Sequence, residues 1–115
     1  MRDEKTLVEI AIIRALCKHM REAGWPVRYA FDGYIPSKKC VDDEAAVVAF
    51  LDLGEVLLLF GSTGLECTNS WVKLIPGNAE DVLSDWSVGV AGFTEAIEAF
   101  VAKLESDTFE LEVRS

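Results

Sequence analysis

Val56-Leu57-Leu58-Leu59-Phe60 is an unbroken apolar run closed by Gly54 on one side and Gly61 on the other. A short apolar run bounded by turn residues reads as a buried strand. Ser70 to Ile75 is its antiparallel partner, reached across a loop of about nine residues. In that partner Trp71, Lys73 and Ile75 alternate with Val72 and Leu74, and Pro76-Gly77-Asn78 stops the strand. Gly61-Ser62-Thr63-Gly64 superficially resembles a phosphate loop. The next residues, Leu65 to Asn69, lead to a strand rather than a helix N-terminus, and Glu66 repels phosphate, so it reads as the hairpin loop.

Working back from this hairpin, residues 43–53 fit two readings. Val47 to Leu51 suits a strand, but Ala45, Ala46 and Ala49 favour a helix, and Asp42, Asp43 and Glu44 lie where a helix N-terminus favours negative charge. The helix is preferred. Residues 26–31 read as a short strand closed by Asp32-Gly33, Tyr34-Ile35 as a second short strand, and Ser37 to Asp43 as a polar connection. Residues 4–22 read as an amphipathic helix, ended by Gly24-Trp25-Pro26. At about 100° per residue, Val8, Ile10, Ile12, Ile13, Leu16, Cys17 and Met20 fill an arc of about 200°. A helix lying on one sheet needs little more than about 100°, so a second covering layer is expected.

Working forward, Asn78 is a candidate N-cap for a short helical turn from Ala79 to Trp86, with Asp81 in a capping-box position. A last helix over 90–105 carries the stripe Phe93, Ile97, Phe100, Val101 and Leu104. Thr108 to Val113 alternates in hydropathy, so residues 106–115 form an edge strand or a tail that docks on a partner. Together these elements predict one domain over 1–115 of the α+β class. Its antiparallel three- to four-stranded sheet packs against the N- and C-terminal helices.

Charge is unevenly placed. Residues 1–40 carry eight Lys/Arg against five acids, residues 41–115 three against fifteen, within a formal net charge of −9. Such a balance argues against direct nucleic-acid binding and against attraction to anionic membranes. The richest apolar window, Ala45 to Phe60, is interrupted by Asp52, Gly54 and Glu55 and is shorter than the roughly 20 residues a membrane span needs. The charged start and the broken apolar run after it do not suit a signal peptide. Cys17, Cys40 and Cys67 are odd in number and scattered, which points to a reducing, cytoplasmic setting.

No catalytic, cofactor or metal motif stands out. His19 is the single histidine, placed at the margin of the apolar arc, and reads as a half-buried packing residue. Cys17 and His19 diverge by about 200° on a helix and cannot share a metal. The candidate interaction residues fall into two groups. Arg14, Lys18 and Arg21 form a basic stripe on the first helix, either a solvated face or a dock for an acidic surface such as that of a second copy. Asn78, Glu80, Asp81, Ser84 and Asp85 form the densest polar cluster, either helix-capping groups or a site whose Asp81 and Asp85 share one helical face.

Three functions are consistent with this. The leading one is a small cytoplasmic module that acts by binding another protein rather than by catalysis, forming a homodimer through the first helix. A second is an acidic inhibitor that mimics nucleic acid, of the phage or mobile-element type, on a nucleic-acid-binding protein. A third is a small enzyme using carboxylates of the Asn78–Asp85 loop.

Overall fold

The computed structural model describes residues 4–33, 38–61 and 70–105. The first helix, α1 (Glu4–Glu22), has the expected bounds. It ends in a Schellman arrangement. Gly24, at φ +92°, donates to Arg21 O, and the Trp25 N–H reaches Met20 O at 2.7 Å. That turn drops Trp25 into the core, edge-on to Phe93 with ring centroids 5.5 Å apart.

The remaining elements are β1 (Val27–Phe31), β2 (Lys38–Lys39), α2 (Asp43–Leu53), β3 (Val56–Phe60), β4 (Trp71–Leu74), a 3-10 turn (Ala79–Asp81), β5 (Leu83–Trp86) and α3 (Phe93–Glu105). The fold class is α+β. All neighbouring strands are antiparallel, in the order β2-β1-β3-β4-β5, so β3 lies at the centre with β4 as its partner. The alanine-rich segment is a helix. Asp42 caps it by accepting the Ala45 N–H at 2.8 Å, and Gly54, at φ +78°, closes it by donating to Phe50 O.

Four strands of four or five residues make up the body of the sheet, and a two-residue fifth, β2, is added at its edge. Two local expectations need correction. The edge strand β2 lies inside the stretch read as a polar connection; the Tyr34-Ile35 strand lies outside the described residues, as does the 106–115 tail. The segment from Ala79 to Trp86 is not a helical turn throughout. One 3-10 turn gives way to β5, because Val82 is fully buried and its carbonyl accepts the Ile75 N–H at 3.0 Å, which starts a ladder along β4.

The core is one contiguous cluster. Val27, Ala30, Val56, Leu58, Phe60, Val72 and Leu74 supply it from one face of the sheet, and all three helices supply it from above. The wide apolar arc of α1 is covered within the chain, by α2 on one side, α3 on the other, and β1 and the 3-10 turn. Ile12, Ile13, Leu16, Cys17 and Met20 are completely buried, so the premise for a second copy covering α1 is gone. A third helix, not a partner molecule, is the second layer.

Candidate functional site

The basic stripe of α1 faces the acidic start of α2. Arg14 makes a two-pronged pair with Glu44, both bonds at 2.8 Å, and Arg21 meets Asp43 at 3.1 Å. The arginine hydrogen bonds hold the Glu44 carboxyl below the usual carboxylate range. Lys18 is exposed on the same helix. Two of the three predicted basic residues are therefore engaged inside the chain, and so are Asp42, Asp43 and Glu44 of the acidic half. His19 stands where a half-buried packing residue should: Nε2 lies 2.9 Å from Ala96 O of α3, with the ring tilted against Phe100.

The polar cluster does not assemble. Asn78 is no side-chain cap; its Nδ2 instead donates to Ile75 O at 3.2 Å. Glu80 and Asp81 lie in the 3-10 turn and Asp85 lies on β5, so Asp81 and Asp85 share no helical face. Sequence reasoning missed Glu9. Buried on α1, its Oε2 accepts the backbone N–H groups of Asn78 and Ala79 at 2.7 and 2.9 Å. Ala79 carries a positive φ of +49°, a conformation that L-residues adopt at a cost of roughly 1–2 kcal/mol. A carboxylate distant in sequence thus anchors the start of the turn, through amides other than those an Asn78 side-chain cap would take. The only local signal was an acidic residue in the midst of the apolar arc.

The thiols are similarly enclosed. Cys17 and Cys40 are buried. Burial pushes both thiols upward, Cys40 to about 11. Among the described residues no cluster of three or more His, Cys, Asp or Glu is placed to hold a metal ion.

What the helices leave uncovered is the second face of the sheet. Two rows of cross-strand neighbours lie there, Lys39–Tyr29–Leu59–Trp71 and Phe31–Leu57–Lys73–Asp85. Phe31, Leu57, Leu59 and Trp71 are half-buried and Tyr29 is exposed. An open depression of about 650 Å³ lies at one end of this face, with Phe31, Leu57 and Trp71 among its apolar lining and Asp32, Glu55 and Asp85 among its acids. Lys73 crosses it to meet Glu55 at 3.1 Å.

The edges of the sheet are blunted. β2 is two lysines long. β5 carries a bulge at Ser84, between the pairs Lys73–Asp85 and Leu74–Leu83. In the Val72–Trp86 pair the ladder bond runs from Ser87 N–H to Trp71 O, so the Trp86 N–H points away from the sheet. Asp85 Oδ1 accepts that outward N–H at 2.9 Å, in the place a pairing strand would take.

No protein-family model, curated protein or solved structure matches this chain. The class that the fold defines is an α+β domain with helices on one side of an antiparallel sheet and, among the described residues, no helix on the other. No helix among the described residues is long and apolar enough to cross a membrane.

Proposed function

We propose that this protein works by binding another protein on the open face of its sheet, in the cytoplasm. The observation that carries the reading is the strip of Tyr29, Phe31, Leu57, Leu59 and Trp71, contiguous across three strands and left outside the helical core. Contiguous apolar surface of this kind, rimmed by charge, marks interaction sites, and Trp and Tyr are enriched where binding energy concentrates. The free, buried thiol of Cys17 suits a compartment without disulfide chemistry.

Mimicry of nucleic acid is less well supported, because acids that would have to stand free are engaged inside the chain. Asp43 and Glu44 pair with arginines, Asp42 caps α2, and Glu9 holds the 3-10 turn. An enzyme built on the Asn78–Asp85 loop has less support too, since Asp81 and Asp85 stand on different elements. The test is cross-linking in the native host with wild-type protein and with Leu59→Asp. Loss of a cross-linked partner on substitution, with an unchanged circular dichroism spectrum, is expected. Retention of the same partner would move the contact to another surface.

A further inference from the structure

The open face is not uniform. Its strip of Leu59 and Tyr29 is apolar, whereas the depression beside Leu57 is lined by Phe31 and Trp71 together with acidic residues. Among the described residues its charged lining is Asp32, Glu55, Asp85 and Lys73, and Glu55 holds Lys73 at 3.1 Å. Phosphate groups and acidic peptides are repelled here, and the formal net charge of −9 adds a long-range field that gathers cations. A flat cation with an apolar stem fits both parts of the lining. Its plane stacks on an aromatic ring, its paired N–H groups match a carboxylate, and its methylenes lie along leucine. Lysine, more strongly hydrated and without a planar fork, fits less well.

We infer that the depression takes an arginine side chain of a basic segment of the partner protein, with the neighbouring apolar strip taking an apolar residue of that segment. This rests on the reading that the open face docks a protein. A free guanidinium compound would fill the depression but leave Leu59 and Tyr29 bare, so a peptide segment is the better occupant.

The test uses the isotope-labelled full chain and follows the Trp71 indole and the Leu57, Leu59 and Lys73 amides by NMR. The probe is a capped peptide with two arginines flanking a leucine. Comparison peptides replace arginine by citrulline, which keeps the shape and loses the charge, or by glutamate. Saturable shifts confined to this face are expected, with binding about tenfold weaker for citrulline. The doubly neutral variant Glu55→Gln with Asp85→Asn should bind the arginine peptide with the same tenfold loss, and its spectrum shows directly whether it is folded. Equal binding of the arginine and citrulline peptides on this face would overturn the arginine assignment while leaving the docking face in place. Equal binding of capped free arginine would overturn the peptide assignment. No saturable shift with any probe would overturn the inference, and cross-linking that Leu59→Asp leaves intact would overturn the docking face as well.

Discussion

On one side of β3, Val56, Leu58 and Phe60 are at most 1% exposed under three helices; on the other, Leu57 and Leu59 stay half-buried beside a Tyr29 that is 38% exposed. The strand is the same and the side chains are nearly the same, yet they do different things. Full burial of a leucine is worth roughly 1.5–3 kcal/mol, so the covered face is where stability is concentrated. The open face retains apolar area that the helices do not cover. Such a division is stable only if strand edges do not aggregate, and here the two-residue length of β2 and the Asp85 carboxylate blunt them.

The largest expected effect contrasts adjacent residues of β3. Leu58→Ala should cost about 2–5 kcal/mol, through lost burial and the cavity left behind, and Leu59→Ala less than half as much. Urea denaturation of both variants measures this directly. Equal losses would mean that the two faces are equally covered. Next in size, Glu9→Ala strips two backbone N–H groups of their acceptor and should cost about 1–3 kcal/mol, with Glu9→Gln intermediate. A Glu9→Ala midpoint equal to wild type would show that water replaces the carboxylate at no cost.

A smaller contrast separates the two caps. Asp42→Ala should lose about 0.5–2 kcal/mol, because Asp42 holds the Ala45 N–H. Asn78→Ala should lose at most about 0.5 kcal/mol, as its side chain makes only an exposed bond to Ile75 O. Reversal of that order by denaturant midpoint would restore Asn78 as a cap. The smallest effect is electrostatic. Glu44 is held below its ordinary carboxylate range by Arg14, so its contribution is present above the unfolded value and fades as pH falls through the folded one. The pair is exposed, so Arg14→Ala should cost no more than about 1 kcal/mol at pH 7 and less near pH 3. A difference that stays constant between the two pH values would remove the ion pair as its cause.

These contrasts track the line between what is local and what is not. The bounds of α1, the alanine-driven choice at α2 and the pairing of β3 with β4 were legible because periodicity, propensity and turn residues are written along the chain. The β5 segment was misread because a few polar residues after Asn78 satisfy local capping rules, while pairing with β4 and the Glu9 carboxylate decide the outcome. The apolar arc of α1 has a width the sequence shows, but its cover, α2 and α3, is set by tertiary packing. For the open face the obstacle is different. A run of five apolar residues conceals which side is uncovered, since every position looks suited to burial.

Glu9 also sets an order of events. The amides it holds lie 69 and 70 residues further along the chain. At synthesis rates of about 5–20 residues per second, α1 waits several seconds before those amides exist. Through that interval a carboxylate sits among residues destined for the core, and the α1 side facing the 3-10 turn cannot dry out without leaving it unsolvated. Final closure of the core therefore waits on arrival of the connection between β4 and β5, and a chain stopped short of residue 79 keeps a wet seam along its first helix.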